Sequence, residues 1–197
     1  MPYYEVNLME QILFVNACVR PQSRTLKLAR FLLSRLPGQM TEVDLNTAPV
    51  PFLDREGLSQ RDALLAAKDF SAPMLRHGVQ FSNADTVVIA APYWDLMFPA
   101  LLKAYLEAVT VSGLTFHYTE DGRPATLCRA RRLIYVTTAG GPIGSLDFGF
   151  QYVSALARGF FEIPEVHCVK AEGLDIVGAD VEAILRRAEQ EIAQKFH

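Results

Sequence analysis

Along the chain, apolar runs of strand length alternate with segments whose apolar residues recur every three or four positions. Ile12 to Ala17 (ILFVNA), Thr86 to Ala91 (TVVIAA) and Leu133 to Thr138 (LIYVTT) carry no charge, as expected of parallel strands covered on both faces. Met40 to Leu45 is short and alternates, which suits a sheet edge. Val166 to Ala171 is the fifth strand candidate. Helical spacing follows each run. It involves Leu26, Leu28, Ala29, Leu32 and Leu33, then Leu58 to Gly78 with a break near Ser71 to Pro73, then Leu101, Leu102, Tyr105, Leu106 and Val109. Phe148, Tyr152, Leu156 and Phe160 form the next apolar stripe, and Val181, Ile184, Leu185, Ala188 and Ile192 the last. One apolar stripe per helix and strands without charge predict a single doubly wound α/β domain over residues 1–197.

The breaks between these elements are where ligands bind in such folds, outside the carboxyl ends of the strands. Pro92 cannot continue a central strand, and Pro99 suits a first helical turn, where no N–H is needed. PYWDLMF is therefore expected as an aromatic loop; a tight turn in which Tyr93, Trp94 and Phe98 close the end of the core is the competing account. After the first strand, CVRPQSR leads into a helix with Ser23 or Thr25 at or just inside its start and Arg20 and Arg24 nearby. Hydroxyls and free N–H groups at a positive helix end make an anion site. Ordinary capping beside two solvated arginines fits the same residues. After the fourth strand, Gly140 and Gly141 allow backbone to approach a ligand closely, or form a plain turn. Asn46 to Gly57, with Pro49 and Pro51, is expected as a loop, and TFHY followed by Glu-Asp-Gly-Arg as a small hairpin. Its Phe116, His117 and Tyr118 either pack it down or roof a pocket.

Composition narrows the class. Lys and Arg number 19 against 22 Asp and Glu, a formal charge of -3, so neither nucleic acid nor an anionic membrane is an expected partner. Apolar runs are strand-sized, and acids precede the first of them where a signal peptide has a positive segment. A cytoplasmic location is expected. Cys18, Cys128 and Cys168 lack metal or redox spacing and read as small buried hydrophobes. His77, His117, His167 and His197 are scattered, the last at a chain end expected to fray. There is no GxGxxG, no Walker loop, no HExxH and no nucleophile elbow. Three ligand-shaped strand ends without an acid–base set suit an enzyme whose cofactor carries the chemistry, and suit a non-catalytic binding domain equally.

Over nearly its whole length the chain resembles the flavodoxin-like family of FMN-dependent NADH:quinone oxidoreductases and azoreductases. The family's S-x-S or S-x-T step, which holds the FMN phosphate, matches VNACVRPQSRT at Ser23 and Thr25, with Arg20 close by. Its P-M-Y-N-F segment followed by P-x-x-L-K matches APYWDLMFPALLK, implying flavin contacts at Pro92, Tyr93, Trp94, Asp95 and Leu96. Its (S/T)-x-G-G-x-Y loop matches Thr138, Ala139, Gly140, Gly141, Pro142 and Ile143, beside the pyrimidine end of the flavin. G-x-T-F-x-Y matches Gly113, Thr115, Phe116 and Tyr118, part of the substrate wall in relatives.

The resemblance implies a five-stranded parallel sheet in the order 2-1-3-4-5, bound FMN and no protein acid or base as catalyst. It also implies electron transfer from NAD(P)H to a quinone, with aromatic azo compounds as a further acceptor, and a homodimer whose active sites lie at the interface. Asp95 stands where the family usually has asparagine, Ile143 where it has an aromatic, and Cys18-Val19 where many relatives have Ser-Pro. These departures bear on the acceptor. A flavin-binding redox sensor, a flavodoxin-type electron carrier and an unrelated α/β enzyme such as a small transferase are the alternatives; the carrier usually has a strongly acidic docking face, which a charge of -3 does not supply.

Overall fold

The computed structural model describes residues 9–196; His197 and Glu5 lie outside them. β1 (Gln11–Asn16) buries every residue after Gln11. It feeds α1 (Arg24–Leu33), capped by Ser23, whose hydroxyl accepts from the Leu26 N–H. β2 (Gln39–Asp44) follows, with Val43 as its buried residue. α2 (Arg55–Ala66) starts where a loop to Gly57 was expected, because the Asp54 carboxylate accepts from the Gly57 N–H at 2.8 Å and Glu56 favours the positive end. The expected break then appears, and a 3-10 turn at Pro73–Leu75 opens α3 (Arg76–Asn83).

β3 (Thr86–Ala90) is wholly buried, and Pro99 sits at the cap position of α4 (Ala100–Val109) rather than within its first turn. β4 (Phe116–Tyr118) and β5 (Pro124–Thr126) form the expected antiparallel hairpin. Phe116 packs it down, edge-on to Phe160 at 4.9 Å, while His117 and Tyr118 remain exposed. β6 (Arg132–Thr138), α5 (Phe148–Gly159), β7 (Glu165–Ala171) and α6 (Val181–Lys195) complete the described chain. No described helix is long and apolar enough to cross a membrane.

The sheet order is β2-β1-β3-β6-β7, with every pairing parallel. Counting only the strands of this sheet, that is 2-1-3-4-5, as expected. Side chains alternate across it. Leu13, Val15, Val87, Ile89, Leu133 and Tyr135 join a core with Phe81, Leu102, Tyr105 and Val153 from α3, α4 and α5. Phe14, Val88, Ala90, Ile134 and Val136 face the other way, onto Leu28, Leu32, Leu185 and Ile192 of α1 and α6. Two covered faces explain the strands without charge. β2 lies at the edge, and Met40 is exposed. In register, Asn16 stands beside Ala90 and Ala90 beside Val136, so the loops leaving β1, β3 and β6 open on one side.

Candidate functional site

At the end of β1 the chain is held by side chains before it turns into α1. Asn16 Oδ1 accepts from the Cys18 N–H at 3.0 Å, and Asn46 Nδ2 donates to the Cys18 carbonyl at 3.0 Å. Ser23 then caps α1, so the Leu26 N–H is used; the N–H groups of Arg24 and Thr25, in the first turn, have no carbonyl four residues back inside the helix. Thr25 is buried, and its hydroxyl shares a 2.6 Å hydrogen bond with that of Thr138. The side chain predicted to meet an anion thus ties α1 to the end of β6. Arg24 reaches outward, donating to the Leu174 carbonyl at 2.9 Å and to Asp175 Oδ1 at 2.7 Å.

The aromatic loop after β3 is pinned by a 3.0 Å bond from the Tyr93 N–H to the Thr138 carbonyl, and Tyr93 Oη donates to the Leu146 carbonyl at 3.1 Å. Trp94 and Met97 exchange both backbone hydrogen bonds, at 3.0 and 2.9 Å. Between them Asp95 and Leu96 have φ of +51° and +67°, which makes a type I′ turn without glycine. Their N–H groups therefore point away from the turn's own bonds. Trp94 is 49% exposed, so its ring is not a core plug, whereas Phe98 is buried and closes the end of the core; the loop is thus a tight turn that also presents an aromatic surface.

These loops and the one after β6 enclose a cleft of about 190 Å³. From the predicted residues it brings together Arg20, Ser23 and Thr25 at one end, and Pro92, Tyr93 and Trp94 at the other. Thr138, Ala139 and Gly140 complete the floor. Asp95, Leu96, Gly141 and Ile143 lie outside this lining. Ile143 is buried, and its N–H donates to Glu172 Oε2 at 3.4 Å, so its side chain offers the cleft no surface. Arg24, expected beside the anion site, lines the cleft too, and so do Val19, Gln22 and Asp175, which were not selected as binding residues. Asp175 follows the fifth strand, and a strand-end loop was the signal that could have found it.

The thiols are not reactive groups. Burial pushes Cys18 up to about 11 and Cys128 and Cys168 up to about 12, so none is a thiolate near neutrality. Cationic and hydroxyl groups at one end of the cleft, and aromatic and backbone surface at the other, fit a ligand with a phosphate tail and a planar head. At 190 Å³ the cleft is below the ~300–1,000 Å³ usual for ligand pockets.

Residues 10–196 match the family described as having a flavodoxin-like fold. The chain is 34% identical over 191 residues to FMN-dependent NADH:quinone oxidoreductase 2 of Clostridium acetobutylicum, which covers 90% of this chain and 94% of that protein. It is 31% identical over 200 residues to the FMN-dependent NADH:quinone oxidoreductase of Lachnoclostridium phytofermentans, covering 95% and 100%. Among solved structures, an azoreductase from Bacillus anthracis superposes with a TM-score of 0.81 at 26% identity, covering 95% of this chain and 98% of the other.

Proposed function

The chain belongs to the flavodoxin-like fold family, and from that premise we propose that it is an FMN-dependent NAD(P)H:quinone oxidoreductase that also accepts aromatic azo compounds. The observation that carries this reading is the meeting of three strand-end loops in one cleft with an anion-binding end and an aromatic end. FMN, when bound, supplies the chemistry by taking two electrons from NAD(P)H and passing them to the acceptor.

The protein's part is binding and orientation. Ser23, the N–H groups of Arg24 and Thr25, and Arg20 would hold the phosphate, where a helix N-terminus and charge-assisted hydrogen bonds favour a dianion. Thr25 and Thr138 fix the distance between α1 and β6 through their shared hydroxyl bond. Pro92, Tyr93, Trp94, Thr138, Ala139 and Gly140, which line the cleft, would hold the flavin head, with Gly141 and the backbone of Ile143 beside them. The turn at Asp95 and Leu96 leaves two fixed N–H donors beside the cleft, which would stabilise negative charge on a bound flavin without reorganisation. No side chain of the chain is required as acid or base.

A second copy of the chain completes the wall of the cleft in this reading. α2 has no buried residue, and Phe52 just before it is 78% exposed; a helix this uncovered lacks the packing that normally stabilises one. The working form is therefore a homodimer of one-domain chains, placed in the cytoplasm, with no nucleic-acid or membrane partner.

The test is anaerobic stopped-flow with FMN-loaded protein. NADH or NADPH should bleach the flavin absorption, and a benzoquinone or naphthoquinone should restore it. Flavin that stays oxidised with both nucleotides for minutes would mark a sensor or carrier instead, and recovery with azo dyes alone would overturn the choice of quinone.

A further inference from the structure

The loop after β7 lies across the phosphate end of the cleft. Its Leu174 N–H donates to the Ala139 carbonyl at 3.1 Å and its Asp175 N–H to the Gly140 carbonyl at 2.9 Å. A Cβ on Gly140 would collide with the Asp175 carboxylate, so the glycine is needed for this close approach. Asp175 in turn meets Arg24, the first residue of α1, at 2.7 Å. The loop is bounded by Gly173 and Gly178, with φ of +79° and +82°, and between them Ile176 is exposed and Val177 is 100% exposed. Leu174 is buried in the core and anchors the start of the loop; beyond it, two left-handed glycines and an unburied apolar tip leave the Arg24–Asp175 pair as the main side-chain tie.

That pair is open to solvent, with side-chain exposures of 33% and 66%, and exposed ion pairs are weak. An arginine bound to a phosphate dianion is a stronger, charge-assisted arrangement. A dianion at the start of α1 would also repel the Asp175 carboxylate, because both line one cleft of about 190 Å³.

We propose that Arg24 is a phosphate ligand which Asp175 occupies until a phosphomonoester displaces it, so that Asp175 sets how tightly the cleft holds FMN and the segment Asp175 to Val177 is released on binding. This rests on the flavin reading above. Arg24 exchanges one anion for another, with no covalent step. The carboxylate acts as a stand-in for the phosphate in the free protein, neutralising a cation that otherwise faces the first turn of α1.

Titration of the wild type, Asp175→Asn and Arg24→Gln with FMN and with riboflavin, which lacks the phosphate, tests this. Asp175→Asn nearly preserves shape and should tighten FMN binding by about threefold, the scale of one exposed ion pair. Arg24→Gln should weaken it by about tenfold, the scale of one hydrogen bond to a charged group. Riboflavin affinity should be the same in all three. Deuterium exchange at Asp175 to Val177 in the wild type should rise with FMN or inorganic phosphate, and stay level with riboflavin. Equal changes for FMN and riboflavin would make the pair a structural pin and overturn the proposal, as would unchanged FMN affinity in Asp175→Asn. Wild-type protein that binds neither flavin would overturn the functional reading instead. The exchange experiment with inorganic phosphate then still decides, a rise supporting the displacement and level exchange refuting it.

Discussion

Asp95 and Leu96 adopt backbone angles that side chains normally avoid, φ +51° and +67°, at a cost of about 1–3 kcal/mol each. They are held there by the paired bonds of Trp94 and Met97 and by the buried Phe98 that follows. Asparagine tolerates this region better than most residues, so Asp95→Asn should fold normally and isolate the charge. The carboxylate, if ionised beside the ring, opposes negative charge on the reduced flavin. Removing it should raise the midpoint potential at neutral pH; a spectroelectrochemical titration with an unchanged or lower potential would place the side chain away from the ring. That Asp95 lies in a strand-end loop was legible from Pro92 and Pro99. The positive φ was not, because no glycine announces it. Thr25 teaches the same limit: its place at a helix start could be read, but its hydroxyl partner is 113 residues away.

At the scale of an element, α3 shows what scattered histidines conceal. His77 is 7% exposed, edge-on to Tyr105 at 5.5 Å. Its Nδ1 lies 3.2 Å from Gln80 Oε1. An acceptor there puts the proton on Nδ1 in the neutral ring, and Nε2 is then free to accept from Arg76 Nη2 at 3.4 Å. Burial, and then the Arg76 charge, lower the pKa below 6.5. The unfolded chain therefore binds a proton before the folded one does. Stability from this group is fully present above pH 6.5 and is lost as pH falls through the lowered native value. His77→Gln should flatten the fall in Tm below pH 6.5 without abolishing it, because burial also lowers His167. An equally steep fall in the variant would show that His77 takes up its proton equally in the folded and the unfolded chain. α2 offers the opposite lesson, since its Asp54 cap and Glu56 were readable signals in a segment whose two prolines drew it toward loop.

For the whole molecule, the uncovered surface around α2 sets the expectation. Phe52 is 78% exposed, and Leu53 and Leu58 are exposed beside it. In the proposed homodimer these side chains are buried by the second copy. Sedimentation should then show a dimer, and Phe52→Glu with Leu58→Glu should raise its dissociation constant by tenfold or more, roughly the effect of losing one interface anchor. A monomeric wild type, or a double variant as dimeric as the wild type, would move the interface elsewhere or remove it. If the second copy also walls the ring, monomers of the variant should keep the phosphate contacts yet lose acceptor turnover.

The sequence by itself determined the strands, most helix boundaries and the three loops that carry the cleft, because those properties are local. Burial on two faces removes charge from β1, β3 and β6, while proline, glycine and a capping serine mark where each element must stop or start. The sheet order came from a family resemblance rather than from any of these patterns. Only the tertiary structure decided which loops meet. Arg24 and Asp175 are 151 residues apart, and their contact depends on parallel register placing α1 beside the end of β7, together with a glycine at 140 that lets a carboxylate in. Ile143 turned inward and Thr25 turned to Thr138 for the same reason: which way a loop side chain points is set by the neighbour that packs against it, and that neighbour is distant in the chain.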